Sequence, residues 1–231
     1  MITLGIDTAT SACACAVWSA GEGRALAVRA EAMTRGQAER LIPLVQETLA
    51  AAGLGFDAIG RYAAVVGPGT FTGLRIGLAA ARGLALAADR PLLGVTSLEA
   101  AARGLDVGDR DGRTLLACIE SRRDELFVQP WGADLAPLAD PAEVLPADLP
   151  AYAARVLPPG PVTLVGDAVG RGAAALGPWP DLRVIQTTGA AEAVAVARLA
   201  AALSLEEIAA RPADPFYLRL PDVTLAPTRP A

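Results

Sequence analysis

Apolar positions follow two different periods along this chain, and the changes of period mark its elements. Residues 2–6 are a short apolar run that ends in a polar turn, Asp7-Thr8-Ala9-Thr10-Ser11. A second run, 12–18, is followed by Gly21-Glu22-Gly23 and a third run, 25–30. Turn chemistry at this spacing predicts a three-stranded antiparallel meander. The period then lengthens. Over 37–52, Leu41, Ile42, Leu44, Val45, Thr48, Leu49 and Ala52 recur at i, i+3/i+4 and i+7, which predicts an amphipathic helix closed by Gly53. Pro43 should kink that helix or mark its true first turn. A strand is predicted at 62–66, a glycine-rich loop at 67–73, a helix at 74–88 and a strand at 91–95, with Ser97 capping a short helix to Arg103.

The stretch 104–113 is rich in Gly and Asp and reads as a linker, after which a similar order returns. Strands are predicted at 114–119, 126–131, 162–166 and 184–186, with helices at 151–157, 168–176 and 190–203. Residues 134–150 read as irregular, and the Pro-rich tail beyond Arg219 as frayed. Strands alternating with helices in two similar blocks predict a duplicated α/β layer fold. The division expected is 1–104 and 105–231, with the last helix and tail packing back on the first block.

Composition narrows the chemistry. Hydrophobic residues make up 53% of 231 and aromatics 4%, so a large core of small side chains, closely packed, is expected. No apolar run reaches the roughly 20 residues of a membrane span, and the chain opens at once on a strand-like segment. No signal peptide and a cytoplasmic location are therefore expected. There is no His, which removes His-ligated metal sites and Ser-His-Asp or Cys-His catalysis. All 20 basic residues are Arg, which removes a P-loop lysine and a Schiff base. Cys13, Cys15 and Cys118 lie in apolar strands and read as buried thiols. The net charge is −5 and the pI about 4.9, so unaided nucleic-acid binding is not expected.

Four places could carry chemistry. Gly67-Pro68-Gly69-Thr70-Phe71-Thr72-Gly73 joins a strand to a helix, with Thr72 a candidate N-cap. The loop suits a structural turn, the commoner case, or an anion held by free N–H groups at the helix start. Asp7, beside Thr8, Thr10 and Ser11, suits hydrated Mg²⁺ and phosphate or a plain Asx-turn. Gly73, Gly77 and Ala81 form a small-residue stripe that packs either inside the chain or on a partner. Glu120, Arg122, Arg123, Asp124 and Glu125 read as a charged turn, and Asp167 as a second strand-end carboxylate facing the cleft of Asp7.

Ile6-Asp7-Thr8-Ala9-Thr10 and Gly67-Pro68-Gly69-Thr70-Phe71-Thr72-Gly73-Leu74-Arg75-Ile76-Gly77 resemble the TsaB (YeaZ) family, as do Arg40-Leu41-Ile42-Pro43, Gly94-Val95-Thr96-Ser97-Leu98 and Phe216-Tyr217-Leu218-Arg219. The resemblance implies an actin-like (ASKHA) ATPase fold of two ribonuclease-H-like subdomains. It also implies a non-catalytic scaffold and activator of TsaD, acting with the ATPase TsaE in forming threonylcarbamoyladenosine (t6A) on tRNA. It implies a heterodimer with TsaD, a homodimer in its absence, tRNA contact only through the complex, and no membrane association. No intrinsic cofactor or metal is implied, and ATP or ADP is admitted only in the complex with TsaD and TsaE. On this resemblance Asp7, Thr8, Thr10, Gly67, Gly69, Thr70, Thr72 and Gly73 would be a vestigial nucleotide or phosphate site. Gln37, Arg40, Leu41, Leu44, Val45, Leu74, Gly77, Leu78 and Ala81 would form the partner interface, the stripe giving the close approach. Gln37 stands where many relatives have His, and with the metal-site histidines missing the older glycoprotease label finds no support. The alternative is an ASKHA-type small-molecule phosphotransferase using Asp7 for Mg²⁺ and the Thr70/Thr72 loop for phosphate. Against it, no second phosphate loop stands out in the later half.

Overall fold

The computed structural model describes residues 1–218. The expected tail beyond Arg219, and Arg219 itself, lie outside the described residues. The first sheet is built from β1 (Ile2–Asp7), β2 (Ala12–Ser19) and β3 (Arg24–Ala32), then β4 (Ile59–Gly67) and β5 (Leu92–Thr96), in the order β3-β2-β1-β4-β5. β1, β2 and β3 pair antiparallel as the turns predict, whereas β1, β4 and β5 pair parallel. The parallel partners need crossovers. These are α1 (Gln37–Ala51) between β3 and β4 and α2 (Phe71–Ala88) between β4 and β5. α3 (Ser97–Gly104) and the short α4 (Val107–Arg110) then lead to the second sheet.

That sheet contains β6 (Thr114–Glu120), β7 (Leu126–Trp131), β8 (Ala142–Val144), β9 (Val162–Gly166) and β10 (Leu182–Gln186). α5 (Leu149–Val156) lies between β8 and β9, and α6 (Val169–Leu176) between β9 and β10. The order β10-β9-β6-β7-β8 is the first sheet's order repeated, read from the other edge. Glu120 ends β6 as Asp7 ends β1. The duplication is therefore one of topology, although no residue pattern repeats.

α7 (Ala190–Ala202) and α8 (Leu205–Ala209) close the described chain. α7 crosses back to the first sheet and lies on β1, β2 and β4. Gly5 makes this approach, because a Cβ there would overlap the Ala193 carbonyl, and Ala197 packs beside it. α3 fills the seam between the sheets, where Leu98, Ala101 and Ala102 meet Leu115, Ile119 and Val165. Small alanines on α3 and α7 let helices and sheets approach closely, and each large side chain buried beneath them contributes ~1.5–3 kcal/mol.

Several elements differ from expectation for local reasons. β4 begins three residues early, at Ile59, because Ile59 and Arg61 pair with Ile2 and Thr3 of β1, and the Arg61 guanidinium reaches Ala200 O and Leu203 O at the end of α7. α2 begins at Phe71, with Thr70 at the N-cap position, so Thr72 lies in the first turn and caps nothing. Thr96 caps α3, its Oγ1 accepting from Glu99 N at 3.1 Å, whereas Ser97 Oγ donates to Pro68 O. α1 runs through Pro43 well inside the helix, so Pro43 marks no first turn. The 104–113 linker carries α4, and the stretch read as irregular carries β8 and a 3₁₀ turn at Pro146–Asp148. Three residues of strand are too few to show a period.

Among the described residues one helix, α2, is long and apolar enough by length and composition to cross a membrane, with mean hydropathy 1.2 over 18 residues. Its apolar side is instead spent inside this chain, since Gly73, Leu74, Gly77, Leu78, Ala81 and Ala85 are buried.

Candidate functional site

The glycine loop is a joint that closes on itself. Thr70 N donates to Ala9 O at 2.7 Å, and Thr8 Oγ1 donates to Gly73 O at 2.7 Å. A Cβ on Gly69 would overlap Ala9 O, one on Gly73 would overlap Thr8 O, and one on Gly77 would overlap Thr8 Oγ1. Gly67 has φ 106° and faces Phe216 O, while Phe216 N donates to Val66 O at 2.7 Å. The glycines are thus required by the close seating of the loop on the turn after β1 and on the 213–218 segment.

Asp7 sits at the floor of this joint and is fully buried. Its Oδ1 accepts from Ala9 N at 2.9 Å, forming the Asx-turn, and its Oδ2 accepts from Thr10 Oγ1 at 3.4 Å. Burial, then the Glu192 carboxylate, and to a lesser extent Asp167, push Asp7 up to about 7. Asp167 and Glu192 are also raised, first by burial. Asp167 ties the halves together: Oδ2 accepts from Ser11 Oγ at 3.1 Å and Oδ1 from Glu120 N at 2.9 Å. Arg122, at φ 64° in the second half's turn, donates to Ser11 Oγ at 3.0 Å. The charged turn is therefore partly a tether, with Arg171 Nη1 on Glu120 Oε1 at 2.5 Å and Nη2 on Asp124 O.

Above the joint a cleft of about 810 Å³ opens between the starts of α1 and α2, the Ser121–Arg123 turn and Phe216–Leu218. Thr10, Thr70, Thr72 and Gly73 from the proposed phosphate set line it, together with Arg35, Phe71 and Tyr217. Gly69 lines it as well, whereas Asp7, Thr8 and Gly67 are absent from its walls. Phe71 and Tyr217 stack with centroids 5.8 Å apart, and the Arg75 guanidinium lies 3.8 Å over the Phe71 ring. The vestigial set therefore divides, with Asp7, Thr8 and Gly67 inside the joint and the other five on the cleft. Asp7 does not fit a hydrated Mg²⁺, since it is sealed from water and its oxygens are already accepting. The closed loop likewise does not fit the phosphate cradle expected of an ASKHA kinase.

The interface set needs a larger correction. Leu41, Leu44, Val45, Leu74, Gly77, Leu78 and Ala81 are buried within this chain, as is Gln37, whose Nε2 donates to Met33 O at 3.2 Å. Among those residues only Arg40 looks outward, paired with Glu31 at 2.5 Å and Glu47 at 2.7 Å. The apolar period that revealed the helices also determines which side faces the sheet, so the most regular positions are core. The face left outward on α2 runs through Arg75, Ala79, Arg82 and Leu86. Gly83 beside it has open space where a Cβ would point. Leu86 is 84% exposed and Ile42 of α1 38%.

The thiols are inert. Burial pushes Cys13 up to about 12, Cys15 to about 11 and Cys118 to about 12. Among the described residues no group of three or more Cys, Asp or Glu could hold a metal ion. Sequence reasoning missed Glu192 and the Phe71–Tyr217 stack. Glu192 lay hidden in an alanine-rich helix, and Tyr217 belonged to a motif whose place in space no period reveals.

Known proteins match this architecture. The family model for TsaD, tRNA N6-adenosine threonylcarbamoyltransferase, matches residues 27–144, just over half of the chain. The tRNA threonylcarbamoyladenosine biosynthesis protein TsaB of Escherichia coli is 40% identical over 55% of this chain and 53% of its own length. The protein of the same name from Haemophilus influenzae is 34% identical over 54% of this chain and 51% of its own. The matches thus span about half the length of these curated relatives. YeaZ from Pseudomonas aeruginosa superposes with a TM-score of 0.74 at 28% identity, covering 94% of this chain and 99% of that one. The fold is α/β of the actin-like (ASKHA) class, and the resemblance to TsaB and YeaZ read from the motifs holds at the level of both sequence and structure.

Proposed function

The chain belongs to the family of TsaD, the tRNA N6-adenosine threonylcarbamoyltransferase, and from that premise we propose that it is a non-catalytic, TsaB-type member of it. In this reading it binds and activates a TsaD-type transferase in the cytoplasm, with TsaE completing the assembly that makes t6A. The observation that carries the reading is the way the joint spends its groups. Thr70 N and the Thr8 hydroxyl are committed within the loop, and the Asp7 carboxylate is committed to Ala9 N. These positions fix the start of α2 on the turn after β1. Any ATP or ADP is held in the assembly with TsaD and TsaE, and tRNA is engaged there too.

The partner face proposed is the outward side of α1 and α2. Ile42 and Leu86 are exposed apolar anchors, and Ala79 and open Gly83 allow a facing helix to come close. Leu86→Glu should weaken capture of a TsaD-type transferase by at least about tenfold, since a buried unpaired charge at an interface costs more than 1.4 kcal/mol. The melting temperature should stay within about 2 °C, because Leu86 touches little of its own chain. Unchanged capture would move the interface elsewhere. In calorimetry, Mg-ATP added to the isolated chain should give no binding heat, whereas micromolar binding would favour the phosphotransferase reading.

A further inference from the structure

Three carboxyl groups meet at the joint, two held by the first half and one by the second. Asp7 ends β1, and Glu192 stands in the first turn of α7, the helix that lies on β1, β2 and β4. Asp167 follows β9 of the second sheet. Asp7 and Glu192 are buried, and Asp167 partly so. Glu192 Oε2 accepts from Gly189 N at 3.1 Å, and a Cβ on Gly189 would press on Ala12 and Ala14, so the start of α7 is seated firmly on β2. The charges of Glu192 and Asp167 both act on Asp7, and that of Asp167 acts on Glu192.

Among the described residues the hydrogen bonds that cross the joint here share one hydroxyl. Ser11 Oγ donates to Asp167 Oδ2 at 3.1 Å and accepts from Arg122 Nη2 at 3.0 Å. Thr10 beside it, and Ser121 and Arg122 opposite, line the cleft, so the same hydroxyl holds the two lips of the cleft together. Arg122 is the cation facing the group and lowers Asp167, whereas Glu120, paired to Arg171 Nη1 at 2.5 Å, raises it. The thiols nearby, Cys13 and Cys118, are each pushed up to about 12 and stay neutral. The other contact between the halves, the α3 seam of Leu98, Ala101 and Ala102 on Leu115, Ile119 and Val165, is apolar and does not titrate.

Carboxyl groups sealed from water beside like charges ionise at a cost that rises with each charge added. Asp7 and Glu192 are fixed to one body, so Asp167 is the charge that can leave, and the Ser11 bonds are what must part. We propose that Asp7, Asp167 and Glu192 form a proton-operated latch on the cleft. With a proton held among them the halves stay shut at Ser11; with all three ionised the second half swings away from the first about the α3 seam. The latch belongs to this chain alone and does not rest on the partner reading.

Spin labels on Glu39→Cys and Asp124→Cys, one on each side of the cleft, would report its width by double electron–electron resonance at pH 5, 7 and 9. The three native thiols are buried and stay unlabelled. From pH 5 to pH 9 the mean separation should lengthen by more than about 2 Å, the scale of a domain rearrangement, with the midpoint near pH 7. Asp7→Asn and Glu192→Gln each remove one charge and keep an oxygen for the backbone N–H they accept. Each should cut the lengthening at least about twofold, and the double variant should abolish it. Should Asp7→Asn misfold, Glu192→Gln alone gives the comparison. A parent with one separation at pH 5 and pH 9, or variants that lengthen as the parent does, would overturn the latch. Loss of native circular dichroism in the parent at pH 9 would overturn it too, because ionisation would then unfold the chain rather than part its halves.

Discussion

Gly77→Leu should destabilise the fold itself rather than act first on a partner. The Cβ alone would overlap Thr8 Oγ1, and Ile6 lies 3.8 Å away on the same side. Alanine is tolerable in part: Thr8 can rotate away at the loss of its bond to Gly73 O, about 1 kcal/mol, while Ala gains ~1 kcal/mol of helix propensity over Gly. Leucine adds three more heavy atoms to a closed joint between β1 and α2. Overpacking of this kind costs 1–3 kcal/mol and rises further when backbone must move, so we expect a loss of ~3 kcal/mol or more. In a domain of this size that lowers the melting temperature by roughly 6–12 °C. Thermal melts of Gly77→Ala and Gly77→Leu against the parent check it. A Leu variant that melts like the parent but has lost its partner would return the stripe to the interface.

Asp7→Asn should stabilise the protein at alkaline pH and leave it unchanged in acid. The carboxyl is held at about 7 in the fold against an ordinary value of 3.8, so the folded state binds its proton more tightly. The contribution of Asp7 is therefore full below about pH 4, declines through the interval and is lost above about pH 7. The whole change is ~4 kcal/mol if Asp7 acts alone. Glu192 and Asp167, both raised as well, widen the effect in the same direction. Asn keeps an oxygen for Ala9 N and carries no charge. At pH 8 the variant should melt several degrees above the parent, whereas at pH 4 the two should coincide. Equal gaps at both pH values would mean that the carboxylate is not the source.

Much of this molecule was legible in its residues. Period-two runs between glycine and hydroxyl turns located the meander, and the period-3.6 runs located α1 and α2. The order of elements disclosed the duplication before any coordinate did. Failure came where local pattern is silent about direction. Leu41, Leu44 and Leu78 are regular because they are core, and the same regularity made them attractive as an interface. Ile42 stood in the same periodic list, yet it and Leu86 are the exposed apolar residues of α1 and α2 outside the cleft. The site was half legible for a similar reason. A glycine loop beside a strand-end Asp is recognisable in sequence, but whether it cradles an anion or seats a turn depends on where Ala9 O and Thr8 O lie. Those are backbone atoms from a segment some sixty residues away, and no local rule places them.

Both substitutions test the joint, but the central claim concerns what the joint serves. Reconstitution of t6A formation on unmodified tRNA, with a TsaD-type transferase, TsaE and this chain added singly and together, addresses it directly. The chain alone should form no t6A, and its omission from the full mixture should abolish or sharply reduce product. Modification by the isolated chain, or undiminished modification in its absence, would contradict the role of a non-catalytic activator.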